Sequence, residues 1–170
     1  MRFFLPKKTD GISLIELLIY LAVLLILMVG ITEIFLITMR VRARSNAMFA
    51  VNENARVVLG KMRDAILDGT AVATSGTCPA NSLDVTIAGS ITRFQVTNGI
   101  VEIVEGVNPA KSLTAANVVV STGASCLFTK MNNPAPAKPT IRIQLRVTYN
   151  TPGNVVTEIS QDYELAVSLR

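Results

Sequence analysis

The chain has 170 residues, half of them hydrophobic, with neither His nor Trp. After a membrane-spanning segment, this length leaves room for one small domain of about 100 residues. The lack of His removes Ser-His-Asp and Cys-His sites and most zinc geometries, and no paired acidic motif stands out, so we predict neither an enzyme nor a cofactor or metal site.

Half of the net charge of +4 lies in residues 1–11, and the rest of the chain has no dense basic patch beyond Arg40, Arg42 and Arg44. The charge therefore does not indicate a nucleic-acid-binding protein. We expect the three arginines to meet lipid headgroups, a partner suggested by the apolar segment that precedes them.

Residues 12–39 form an apolar run in which the only charges are Glu16 and Glu33. As a helix, this run would extend about 42 Å, more than a hydrocarbon core of roughly 30 Å. We predict a transmembrane helix here. The alternative is a secretory signal peptide, but its apolar region would be only about 7–15 residues long and would not carry an acid. Basic residues flank both ends, so the positive-inside rule does not decide the orientation.

An amphipathic helix is predicted to continue the apolar run over residues 40–69. Its apolar residues recur at steps of three and four: Met48, Val51, Ala55, Val58, Met62 and Ala65. No proline interrupts residues 12–68, so a single continuous helix is possible. We expect it to end at Asp68, with Gly69 in the left-handed conformation that commonly closes helices.

Beyond Gly69 the apolar period changes to two, which predicts strands. Residues 82–88 form a short strand, Asn98-Gly99 lies between two strand-like runs as a hairpin turn, and residues 117–129 add one or two strands. Residues 131–139 are a proline-rich loop.

Two longer strands close the chain, over residues 141–149 and 159–169, joined by the turn "NTPGN". Arg142 and Arg146 would face Asp162 and Glu164 across the pair, each contact contributing at most about 1 kcal/mol. The fold class is therefore α+β: a long N-terminal helix whose outer half packs on an antiparallel β-sheet domain of residues 70–170.

Two cysteines, Cys78 and Cys126, lie in the part expected outside the cytoplasm. That compartment favours a disulfide. In the chain-entropy estimate, a disulfide that closes a loop of this length stabilises the folded domain by roughly 4 kcal/mol. The alternative is a pair of buried free thiols.

The start of the apolar run carries a recognisable pattern. Basic Lys7 and Lys8 precede Gly11, and "GISLIEL" places Glu16 at the fifth position after that glycine. This pattern resembles the processing signal of type IV prepilins and type II secretion pseudopilins. The resemblance implies that a prepilin peptidase removes leader residues 1–11 by cutting between Gly11 and Ile12, and methylates the new amino terminus of Ile12. The family favours Phe after the glycine, and Thr9 and Asp10 separate the basic residues from it.

The resemblance also assigns an orientation and a role for Glu16. The leader stays cytoplasmic and the C-terminal domain faces outward, in the periplasm or outside the cell. A carboxylate in hydrocarbon costs several kcal/mol unless it is paired, and the amino group of a neighbouring subunit's Ile12 could supply the partner. The alternative is an interfacial acid stabilised by the helix dipole. Glu33 would face the headgroups with Arg40, or pair with a neighbouring subunit.

Later segments give a weaker resemblance to J-type minor pseudopilins and W-type minor pilins: "ARVVLGKMRDAI", "ITRFQVTNGIVEIVEG", "SLTAANVVVSTGASCLF" and "ELAVSLR". We therefore predict a structural subunit, of the minor kind, that waits in the inner (cytoplasmic) membrane and then joins a filament. Its implied partners are other pilin or pseudopilin subunits, the prepilin peptidase, the assembly platform protein with its ATPase, and membrane lipid.

Two alternatives stay open. A DNA-uptake pseudopilin would need a basic surface stripe, whereas the sequence shows only scattered cations, at Arg93, Lys111, Lys130, Lys138, Arg142 and Arg146. A single-pass membrane-anchored binding domain that never polymerises would retain its leader and would not need Gly11. No acidic loop with the spacing of a calcium site appears.

Overall fold

The computed structural model describes residues 13–78, 82–122, 126–134, 137–150 and 158–170. Within them it contains one helix and nine strands. The helix α1 covers Leu14–Asp68, and the strands are β1 (Ala71–Ser75), β2 (Ser82–Ile87), β3 (Ser90–Thr97), β4 (Ile100–Glu105), β5 (Lys111–Ser112), β6 (Val118–Ser121), β7 (Phe128–Met131), β8 (Thr140–Tyr149) and β9 (Ser160–Ser168). The predicted α+β class, with a long N-terminal helix packed on antiparallel β-structure, is confirmed.

The chain divides into two compact units, one ending at Arg42 and the other covering Ala43–Arg170. The second unit contains the hydrophobic core, and its part of α1 contributes a stripe of buried side chains: Ala47, Val51, Ala55, Val58, Met62 and Ile66. The predicted stripe was wrong at Met48, which is 42% exposed, whereas Ala65 is partly buried and packs against the core. The buried positions recur mostly in steps of four, which is the row that helices commonly use for packing.

The end of α1 was predicted at the right residue for the wrong reason. Gly69 is absent from the residues with positive φ, so it does not adopt the left-handed conformation. Instead, a Cβ added at Gly69 would lie 2.6 Å from Cγ1 of Val85 and 3.1 Å from the carbonyl oxygen of Ala65. Glycine is therefore needed because strand β2 passes directly over the end of the helix.

The first sheet has five strands in the order β1-β2-β3-β4-β5. The Asn98-Gly99 hairpin is confirmed, with φ of 53° and 79° at these two residues, as a two-residue turn of type I′ requires. A second turn of the same kind, at Ala88 (φ 49°) and Gly89 (φ 84°), joins β2 to β3. Strand β1 was not predicted. Only one of its five residues, Val72, is buried, so the strand has no alternation of apolar and polar residues to indicate it.

The second sheet is built around β8, where the sequence predicted a single sheet. Strands β6 and β7 pair with opposite ends of β8, and β9 pairs along nearly its whole length. The expected ion pairs are confirmed: Nε of Arg142 lies 2.6 Å from Oε1 of Glu164, and Nε of Arg146 lies 2.7 Å from Oδ1 of Asp162. The turn "NTPGN" falls largely outside the described residues.

Among the described residues, two hydrogen bonds and a disulfide connect the two sheets, in addition to the hydrophobic core that they share. The amide of Val120 donates to the carbonyl of Gly99 at 2.7 Å, and Nζ of Lys130 donates to the carbonyl of Val72 at 2.9 Å. The predicted disulfide between Cys78 and Cys126 is present, with 4.8 Å between the two Cα atoms. Since Cys78 follows β1 and Cys126 precedes β7, the covalent link ties the first sheet to the second.

Side chains from both sheets and from α1 form one hydrophobic cluster. Its largest fully buried members include Phe94 of β3, Phe128 of β7 and Met62 of α1. On the outer face of the first sheet, Nε of Arg93 lies 2.7 Å from Oδ1 of Asp84, and the hydrogen bond lowers the pKa of that carboxyl. No buried side-chain nitrogen or oxygen in the described part lacks a hydrogen-bond partner.

Two glycines in the second unit predict opposite effects of the same substitution. Gly69→Ala should lower the free energy of unfolding by about 1–3 kcal/mol, because the new methyl group overlaps Val85. Gly60→Ala should raise it by up to about 1 kcal/mol, since alanine favours the helix and its Cβ would meet nothing within 4 Å. Urea unfolding of the full-length protein in detergent, followed by circular dichroism, measures both. Equal effects at the two positions would contradict this assignment.

Removing the disulfide should destabilise the domain strongly. The double variant Cys78→Ser/Cys126→Ser opens a loop whose ends are 48 positions apart, and the chain-entropy estimate is about 4 kcal/mol. The same unfolding experiment measures the loss, and the unmodified protein treated with a reductant should match the double variant. A loss below about 1 kcal/mol would show that this link does not stabilise the fold as the estimate requires.

Candidate functional site

The predicted processing site lies at the start of α1. Lys7, Lys8, Gly11 and Ile12 are outside the described residues, so leader cleavage and methylation remain predictions. The described chain begins at Ser13, whose carbonyl accepts a hydrogen bond of 3.1 Å from the amide of Leu17. The helix is thus already formed two residues after the predicted cut.

Glu16 lies in the first turn of α1. At this end of a helix the amide groups have no partners within the helix and the dipole favours negative charge, so the position itself stabilises a carboxylate. The hydroxyl of Tyr20 donates to Oε1 of Glu16 at 3.4 Å, one turn further on. Sequence reasoning missed Tyr20, although the four-residue spacing of an acid and a phenol on a helix could have shown it.

The segment that follows Glu16 exposes every side chain. All residues from 13 to 46 are exposed, among them the large apolar residues from Leu14 to Val41. By length and composition this helix could cross a membrane. Its apolar surface is unfavourable in water, so a stable environment must cover it with lipid or with other protein.

Polar groups within this apolar segment are satisfied locally where they can be. The hydroxyls of Thr32 and Thr38 donate to the carbonyls of Met28 and Ile34 at 2.7 and 2.8 Å, which leaves no free hydroxyl hydrogen facing hydrocarbon. Of the two carboxylates, Glu16 accepts the hydrogen bond from Tyr20, and among the described residues neither Glu16 nor Glu33 forms an ion pair.

In the Ala43–Arg170 unit, several basic side chains are paired or hydrogen-bonded within the domain. Arg93, Arg142 and Arg146 are in ion pairs with neighbouring strands, and Lys130 and Lys138 donate to backbone carbonyls. Thus five of the six scattered cations considered for a DNA-binding surface form ion pairs or hydrogen bonds within the domain, and the sixth is Lys111. No group of three or more His, Cys, Asp or Glu that could hold a metal ion occurs among the residues that the structure describes.

Comparison with known proteins gives one match. Residues 6–32 match the family model described as a prokaryotic N-terminal methylation motif. No curated protein and no solved structure matches the chain. The match ends at Thr32, so the likeness of later segments to J-type minor pseudopilins and W-type minor pilins stays a prediction.

The matched segment spans the expected basic residues, Gly11, Ile12 and Glu16, and runs into the exposed apolar part of α1. The rest of α1 packs on antiparallel β-structure, as the residue pattern predicted, although this structure is divided into two sheets and not one. The chain therefore carries the N-terminal methylation motif of type IV pilins and pseudopilins, on a pilin-like α+β fold.

Proposed function

We propose that this protein is a structural subunit, of the minor kind, of a type IV pilus or a type II secretion-like filament. The observation that carries the proposal is that the methylation motif at residues 6–32 continues into a part of α1, residues 14–46, in which every apolar side chain is exposed. A subunit of this design needs two environments in succession: lipid while it waits in the membrane, and neighbouring helices once it enters the filament.

Burial of the exposed apolar side chains would stabilise the subunit both in the membrane and in the filament. Moving a Leu or Ile from water into an apolar environment is favourable by about 1.5–3 kcal/mol, and α1 exposes many of them between Leu14 and Ile37. Lipid and protein provide similar apolar surroundings, so passage from one to the other costs little in this respect. The apolar surface thus anchors the subunit without fixing its position among its neighbours.

Glu16 supplies the positional information that apolar surface lacks. Glu16 lies in the first turn of α1, four positions after the residue that would become the amino terminus when residues 1–11 are removed. A free amino group on the Ile12 of a neighbouring subunit is a cation of the required sign. Such a pair in a medium of low dielectric depends steeply on distance, so one axial offset between subunits is preferred.

The proposed partners follow from this sequence of states. A prepilin peptidase cuts between Gly11 and Ile12 and methylates Ile12, and an assembly platform protein with its ATPase moves the subunit from lipid into the filament. The leader faces the cytoplasm, and the Ala43–Arg170 unit lies on the other side of the membrane. Engagement of five of the six scattered cations within the domain argues against a DNA-uptake role.

Processing is tested by the intact mass of the protein purified from membranes of cells with and without a prepilin peptidase. We expect the peptidase to remove residues 1–11 and to add one methyl group at Ile12. Gly11→Ala should abolish both changes. An unprocessed chain in peptidase-positive cells would contradict the proposal and favour a membrane-anchored binding domain that does not polymerise.

The two acids of the apolar segment provide a matched pair for assembly. Glu16→Gln should leave leader cleavage intact but reduce incorporation into sheared filaments at least about tenfold, because the preferred axial offset loses a buried charge pair. Glu33→Gln, the same change on the same helix, should incorporate nearly normally. Immunoblots of the sheared and membrane fractions measure the ratio. Equal incorporation of both variants would remove Glu16 from the assembly mechanism.

A further inference from the structure

The Ala43–Arg170 unit has a groove between the outward face of α1 and strand β9. The groove has a volume of 680 Å³, and its lining includes Phe49, Arg56, Val57 and Arg63 from α1 with Tyr163 and Leu165 from β9. The phenol of Tyr163 donates to Oδ1 of Asn52 at 2.5 Å, and this hydrogen bond joins the strand to the helix. The groove therefore has a fixed floor and does not depend on a loop.

Two apolar side chains in the groove are poorly covered by the domain itself. Phe49 is 68% exposed and Val57 is 45% exposed, although the buried stripe of the same helix is complete without them. An exposed aromatic residue beside arginine is the composition that protein interfaces favour at their centres. This face of α1 therefore has the character of a contact surface.

The charges in the groove are unbalanced and unpaired. Arg56, Arg63 and Glu53 line it, and none of the three forms an ion pair among the described residues, in contrast to the arginines on the strands. The two arginines are seven positions apart, which is two turns or roughly 10 Å along the helix axis. They are thus complementary to a ligand that offers two carboxylates at that separation.

Gly60 lies between the two arginines and is not explained by the fold of this chain. A Cβ at Gly60 would meet nothing within 4 Å, so no contact within the domain requires a glycine, which is unfavourable in a helix interior. A missing side chain does allow the backbone of another molecule to approach closely. The glycine is therefore best explained by a partner that crosses α1 at this point.

We propose that this groove binds a helix of a partner protein, one that carries carboxylates two turns apart with an apolar side chain between them. The carboxylates would pair with Arg56 and Arg63, and the apolar side chain would pack against Val57 above Gly60. A helix fits better than a strand, because the charges and the glycine follow the axis of α1 and not the backbone of β9. The inference goes beyond the proposed function, since neither processing nor membrane anchoring requires the groove.

The test uses full-length protein in detergent micelles and a fluorescent, stapled helical peptide with two glutamates seven positions apart that flank a leucine. We expect saturable binding by anisotropy, and at least a tenfold loss for the variant Arg56→Glu/Arg63→Glu. A peptide with lysines in place of the glutamates should bind that variant better than the unmodified protein. Gly60→Leu should abolish binding while the unfolding midpoint shows that the domain stays folded.

Lys61→Glu is the matched control, because it reverses a charge on the same helix outside the groove. It should leave binding within about twofold. The proposal is overturned by absence of saturable binding, by equal affinity for the glutamate and lysine peptides, or by equal losses for Lys61→Glu and the double arginine variant. Tighter binding of an unstapled, strand-forming peptide of the same composition would show that the groove accepts an extended segment, which also overturns it.

Discussion

The helix α1 runs from Leu14 to Asp68 without a proline, yet its two ends face opposite demands. Residues 47–66 contribute six buried side chains to the core of the domain, whereas all residues from 13 to 46 are exposed. No described part of the chain therefore covers the apolar side chains of residues 13–46. The proposed function depends on that constraint, because the apolar surface must be covered by something other than this domain.

Apolar surface alone is a poor source of specificity. Leucine and isoleucine interact with lipid tails almost as well as with neighbouring helices, so they hold a helix in place without choosing its partners. The few polar groups of the segment must therefore determine which helices pack together. Thr32 and Thr38 are satisfied within their own helix and cannot contribute much, which leaves the carboxylates of Glu16 and Glu33. Of these, only Glu16 is close in sequence to the predicted new amino terminus, four positions after Ile12.

Much of the domain could be predicted because the signals are local. The Asn98-Gly99 hairpin follows from a turn that demands positive φ at both residues, and the last two strands follow from strict alternation of apolar and polar side chains. The ion pairs of Arg142 and Arg146 came from that same alternation. The disulfide was predicted from the expected compartment, which the N-terminal segment indicated.

The errors concern contacts between segments that are distant in sequence. Gly69 has the residue type of a left-handed helix cap, and only the passage of Val85 over the helix end shows that crowding is the reason for it. The division into two sheets depends on β6 and β7 sharing one edge of β8, which no local pattern records. Near the candidate site, the hydrogen bond from Tyr20 to Glu16 was not predicted, since a four-residue spacing on a helix permits such a contact without requiring it.

The Ala43–Arg170 unit has the core and the polar contacts of a domain that folds without a partner. Its core joins α1 to both sheets, the disulfide links those sheets, and buried polar side chains in the described part are satisfied. The proposed function requires such independence, because a subunit that waits in a membrane before assembly would have to stay folded on its own. Phe49 and Val57 are exposed although the core is complete without them, and Gly60 has open space beside it. Their exposure is therefore not a defect of core packing, and it leaves this face of α1 available for the proposed partner helix.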